Sequence, residues 1–498
     1  MTPTRPATHP DLLTRRDWLR RSGGGLGLIG LAAMLADEGL LARPALAADK
    51  PAGGPAPVAR PDPMAPRASH FPAKAKAVIW LFINGGPSHV DTWDYKPALA
   101  KYDGQEMKGM DPETGFFKNA VGPLMKSPFE FTPRGQCGKP VSSLFPHLGE
   151  HVDKMAFVHS GYTGSNNHSP ALFMMNTGVA RMGLPCVGSW VTYGLGSESR
   201  DLPGFVVMSD PKLRGLPKGN ANNWGAGFLP GAFQGTYLSP TGEPIANLRP
   251  PAAVPPARQR AQLDLLAAMN REHQARLAAE AELTARVESF ELAYRMQSAA
   301  PDALDVDKEP AHIKSLYGLD DPRCAHVARQ CLTARRLVER GTRFVQIYSG
   351  GMENQQSWDG HMDIAGNHAQ FAGETDRPFA GLLADLAARG LLDSTLVVWG
   401  GEFGRLPVSQ KGAKPGRDHN PHAFTMWMAG GGVKGGYTHG ATDEVGFKAA
   451  DKRAHVNDLH ATMLHLLGLD HERLTYRFNG RDFRLTDVAG HVIREVVA

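Results

Sequence analysis

The chain has 498 residues, 42% of them hydrophobic and 21% charged, with a formal net charge of +4. That length and composition describe a globular protein with room for one large α/β domain or two ordinary ones. The first 47 residues hold six Arg against four acids, so the remainder stands near +2. No basic stripe with interleaved aromatics occurs, which excludes nucleic acid as an expected partner.

In chain order, the first element is a leader. Paired arginines in Thr14-Arg15-Arg16-Asp17-Trp18-Leu19-Arg20 precede a Gly-rich, mildly apolar stretch from Gly23 to Leu35, and Ala45-Leu46-Ala47 offers a cleavage site. This is the pattern of a twin-arginine export signal over residues 1–47, which predicts the twin-arginine translocase as a partner and a periplasmic or secreted product. The apolar stretch falls short of the roughly 20 residues that span a bilayer, so no transmembrane segment is expected. Residues 48–70 are rich in Pro and Ala and read as a disordered linker. The remaining residues, 71–498, are expected to form one domain.

That domain opens on an apolar run, Ala77–Ile83, broken by Asn84-Gly85-Gly86-Pro87 and followed by His89 and Asp91. Further strand-length runs are Met155–His159, Phe205–Met208, Arg343–Tyr348, Thr395–Trp399 and Phe424–Ala429. Between them lie helical patterns: Ala171–Thr177, an Ala/Leu/Glu/Arg-rich insertion at about 250–300, Cys324–Gly341, Arg377–Gly390 and Val456–Gly468. Strands alternating with helices predict an α/β fold with a mostly parallel sheet between helix layers. The four cysteines, Cys137, Cys186, Cys324 and Cys331, contain no CxxC pair and are read as structural thiols.

Chemistry-bearing residues follow the strand-like runs. Asp91 comes after the first, Asp359 and His361 after Arg343–Tyr348, and Glu402 and then His419 after Thr395–Trp399. In a parallel sheet the carboxyl ends of the strands share one edge, where ligands bind. Mixed imidazole and carboxylate groups there suit a borderline divalent metal or acid–base chemistry.

Several runs together give a resemblance: Gly85–Asp91, Asn167-His168-Ser169-Pro170, Trp358–His361, Leu396–Arg405, Arg417–Pro421 and Asn457–Thr462. On these the chain resembles the alkaline-phosphatase-like superfamily, which includes the sulfatases. More closely, it resembles its twin-arginine-exported branch, the domain of unknown function 1501 family. The resemblance implies an alkaline-phosphatase-like fold and a metal-dependent hydrolase of sulfate or phosphate esters, acting on small molecules or polysaccharides. It implies Asp91, Asp359, His361, Glu402 and His419 as ligands of a divalent metal (Zn, Mn or Ca), with His168 or Ser169 at the reacting group. Arg405 and Arg417 are expected on the anionic oxygens of the substrate. The chain departs from the superfamily pattern at Asn84, Gly85 and Phe403, where that pattern carries ligands. His168 stands at the nucleophile position. The alternative reading is an exported binding or assembly protein that keeps the fold without a working nucleophile.

Overall fold

Seven consecutive buried residues, Ala77–Ile83, form strand β1 and supply both faces of the sheet. Side chains alternate across a strand, so Ile79, Leu81 and Ile83 enter one apolar layer and Val78, Trp80 and Phe82 the other. Burying each such side chain contributes roughly 1.5–3 kcal/mol. In this computed structural model residues 62–498 are described, apart from 247, 252–253 and 277–280. The export leader and most of the linker expected before residue 71 lie outside the described residues.

Numbering only the strands of the main sheet, β2 is Met155–Tyr162, β3 Phe205–Met208, β4 Thr236–Leu238, β5 Phe344–Ser349 and β6 Thr395–Gly400. The last three are β7 (Phe424–Ala429), β8 (Tyr437–His439) and β9 (Ala454–His455). Their order across the sheet is β8-β2-β7-β6-β1-β5-β3-β4, with β9 also paired to β2. All pairings are parallel except those of β7, which is antiparallel to both β6 and β2. The carboxyl ends of β1, β2, β5 and β6 therefore share an edge with the amino end of β7.

Among helices of seven residues or more, α1 (His168–Thr177), α2 (Val187–Leu195) and α8 (Val456–Leu466) pack on the Trp80 face. On the opposite face lie α6 (Ala325–Glu339) and α7 (Ile364–Ala388). Helix α7 begins thirteen residues before the expected start at Arg377 and carries Pro378 inside it. The expected insertion forms two helices, α3 (Pro256–Arg276) and α4 (Ala281–Leu304), and is followed by the short α5 (Ala311–Tyr317). All four cysteines are free thiols. No helix among the described residues is long and apolar enough to cross a membrane.

Candidate metal centre

Each strand end delivers its group by a short, constrained connection. After β2 the chain turns into α1, whose cap Asn167 accepts the N–H of Ser169 at 3.2 Å and leaves His168 as the first helical residue. After β5 the loop carries Asp359 and His361. Gly85 meets that loop closely: a Cβ there would lie 2.6 Å from the main-chain nitrogen of Asp359, and its φ of +104° also favours glycine. Beyond β6, Gly404–Arg405 pairs antiparallel with His419–Asn420, which sets Arg405 opposite His419 just before β7 begins.

His168, Asp359, His361 and His419 meet at this edge, all buried, with one ligand-type atom from each lying within 4.8 Å of the others. Nε2 of His361 and Nε2 of His419 stand 3.0 and 3.2 Å from Asp359 Oδ1, and Nε2 of His168 stands 3.2 Å from Oδ2. The two Nε2 atoms of His361 and His419 are 2.8 Å apart.

The opposite ring nitrogens fix the tautomers. Nδ1 of His168 faces Glu402 Oε1 at 2.7 Å, Nδ1 of His361 faces Gln410 Oε1 at 2.7 Å, and Nδ1 of His419 faces the Asn166 carbonyl at 2.6 Å. All three partners are acceptors, so each Nδ1 carries a hydrogen and each Nε2 faces inward, where it donates to Asp359 when protonated and offers a lone pair to a cation when not. Metal-bound histidines are held in this way by outer acceptors. Nε2 of His168 is buried without a hydrogen bond of its own. The donor set thus fits a divalent metal.

The electrostatics put a proton on His168 that a bound cation would displace. Burial pulls the His168 imidazole down, but the carboxylates of Asp359 and Glu402 outweigh it and raise its pKa to about 9. Burial pushes the Asp359 carboxyl up, yet the Arg405 guanidinium and the three imidazoles hold it well below the usual carboxylate range. Desolvation keeps His419 far below an ordinary histidine.

The remaining expected residues are placed differently. Glu402 is fully buried one layer behind the cluster, accepting from His168 and, at 2.9 Å, from the N–H of Gly85. Asp91 is not brought to the cluster; its carboxylate is taken by Arg417 at 2.7 and 3.2 Å and by the Ser88 hydroxyl at 2.6 Å. Arg417 spends its other donors on the carbonyls of Leu406, Pro407 and Met125. Arg405 donates to the carbonyls of Gly85, Gly86 and Arg417 and to Asp359 Oδ1 at 2.6 Å. Neither guanidinium lines the open space in front of the cluster. Phe403 packs its ring 4.9 Å from that of His168 and 4.5 Å from that of His419, steadying both.

That open space is a cavity of about 410 Å³, floored by the four cluster residues and walled in part by Ser169, Phe116, Phe117 and Lys218. Sequence reasoning missed Asn166, Gln410, Phe116, Phe117 and Lys218 in these positions. Only Asn166 carried a signal, its place beside the Asn167-His168 turn.

An α/β domain with a buried three-histidine, one-aspartate cluster at the carboxyl edge of its sheet is the class that fold and site define. Residues 75–497 match the family described as Protein of unknown function (DUF1501), and the chain belongs to that family. No curated protein matches the chain in sequence. Among solved structures it has similarity to the phosphonate monoester hydrolase SpPMH from Silicibacter pomeroyi (10% identity, TM-score 0.34, covering 86% of this chain and 76% of that one). It is similar also to the PsFucS1 sulfatase from Pseudoalteromonas sp. (12% identity, TM-score 0.34, covering 80% and 68%). Alkaline phosphatase from the Antarctic bacterium TAB5 is a further match (9% identity, TM-score 0.30, covering 73% and 94%).

Proposed function

We propose that this chain is an exported, metal-dependent hydrolase of sulfate or phosphate esters, working at a single divalent cation held by His168, Asp359, His361 and His419. The observation that carries the reading is the convergence of three Nε2 atoms on Asp359, each ring fixed by an acceptor behind it. Zinc or manganese suits this set better than calcium. A bound cation would offset the negative charge that develops on the ester oxygens.

In this reading His168 serves the cation, and Ser169 is the hydroxyl that meets the reacting group. Asp359 is oriented by Arg405 and by the N–H of Asn354, which donates to its Oδ2 at 2.5 Å. Glu402 and Gln410 hold the tautomers of His168 and His361. Export rests on the paired arginines at Arg15 and Arg16.

The test is elemental analysis of the purified chain together with turnover of 4-nitrophenyl sulfate and 4-nitrophenyl phosphate. One transition-metal ion per chain, lost in His419→Ala, with turnover that disappears alongside it, is the expected result. A folded, metal-free and inert protein would sink the reading. That outcome would favour the second one, a non-catalytic binding protein, for which Phe403 and the two internally spent arginines already speak.

A further inference from the structure

With Arg405 and Arg417 turned away, the cavity before the cluster has one lysine or arginine in its lining among the described residues, Lys218. Its backbone is firmly placed. The Lys218 carbonyl accepts the side-chain amide of the fully buried Asn223 at 2.7 Å. The next residue, Gly219, has φ of +89° and lies so close to Phe173 of α1 that a Cβ would stand 2.5 Å from the ring. The loop is therefore docked on the helix that begins with His168.

The Lys218 ammonium reaches Glu353 Oε1 at 3.0 Å, and both side chains remain partly exposed, 39% and 35%. Glu353 is anchored from the other side, because its neighbour Asn354 donates its N–H to Asp359. The ion pair thus lies in the cavity lining between two loops, each tied to a residue of the cluster. A carboxylate already occupies the one place in the cavity where an anion meets an ammonium.

We propose that Lys218 is the residue that receives the negative charge of the substrate, and that Glu353 holds this place until an anionic ester displaces it. The inference rests on the hydrolase reading above and names the group that recognises the anion there. A pair this exposed is weak, so an incoming oxyanion that also meets a cation at the cluster can displace it.

The test is calorimetric titration of inorganic phosphate into the full mature chain loaded with zinc, for the parent, Glu353→Gln and Lys218→Met, with zinc content measured in each. Glu353→Gln is expected to bind phosphate about two- to fivefold more tightly, because the competing carboxylate is gone. Lys218→Met is expected to bind about tenfold more weakly, having lost a charge-assisted contact. Zinc content should stay unchanged in both. A purely structural ion pair predicts that both substitutions act in the same direction; no tightening in Glu353→Gln, or unchanged binding in Lys218→Met, overturns the proposal. If the parent binds neither zinc nor manganese, the hydrolase reading fails, and the same three titrations on the chain as purified still decide the role of Lys218.

Discussion

The main-chain carbonyl of Asn166 accepts Nδ1–H of His419 at 2.6 Å, while the side-chain amide of the same residue donates to the carbonyls of Thr114 and Gly115 at 3.2 and 3.0 Å. One residue therefore anchors a cluster histidine and the loop that carries Phe116 and Phe117. Asn166→Ala removes the side-chain donors and keeps the main-chain carbonyl, so it should release that loop while His419 stays in place. Hydrogen exchange over residues 111–120 is expected to rise, with metal affinity little changed. Unaltered exchange would show that the Asn166 side chain does not hold the loop.

Gln410→Ala removes the acceptor that fixes the His361 tautomer without touching a cluster residue. Loss of such an outer partner typically weakens metal binding about 10–100-fold. Competition with a graded chelator, comparing the variant with the parent at one pH, measures it.

Asp91 separates a ligand from a structural charge. Buried against Arg417 with both side chains fully covered, it should leave metal content unchanged when replaced by Asn. Breaking one side of a buried pair costs about 3 kcal/mol or more, so denaturant unfolding of Asp91→Asn should show a large loss of stability. A loss of metal in a variant that remains folded would return Asp91 to the ligand set.

Acid should destabilise the fold well above the carboxylate range. Burial lowers His460 to about 4, and burial with the nearby Lys139 charge lowers His159 to about 3. The unfolded chain binds protons at these residues near pH 6.5 while the folded chain does not, so stability rises with pH through this window. It is complete above pH 6.5 and is lost as pH falls toward 4. At pH 5 the loss from His460 alone is about 2 kcal/mol. Thermal melts from pH 7.5 to 5 in the chelated protein check the sign; a flat profile would contradict it.

For the leader, replacing Arg15 and Arg16 by Lys should hold the chain in the cytoplasm with residues 1–47 uncleaved, read by fractionation and the mass of the product.

Six of the nine strands of the main sheet were legible because their apolar runs are short and buried on both faces, as at Ala77–Ile83 and Thr395–Gly400; the two- and three-residue strands at Thr236–Leu238, Tyr437–His439 and Ala454–His455 are too short to leave such a run. The start of α7 was not, since Pro378 marks a helix boundary on local grounds and is here accommodated mid-helix. At the site, spacing after the strands pointed to Asp359, His361 and His419. It had no means of telling Asp91 from them, because the Asp91–Arg417 pair joins residues 326 positions apart. The same holds for the arginines: whether a guanidinium near a cleft is free or spent depends on carbonyls that only the folded loops supply. His168 was ambiguous until its two nitrogens could be traced to Glu402 and Asp359.

The reversal of β7 also bears on when the centre comes into being. His419 is carried to its place by a strand that lies between β6 and β2, with Phe424 registered opposite Gly161. Those partners are separated by most of the domain, and pairing across such a separation is slow to be reached. Until the strand is seated, the cluster lacks its third imidazole and has weak purchase on a metal. On the proposed reading a metal would be taken up late, and its tight retention would signal that the chain has finished folding.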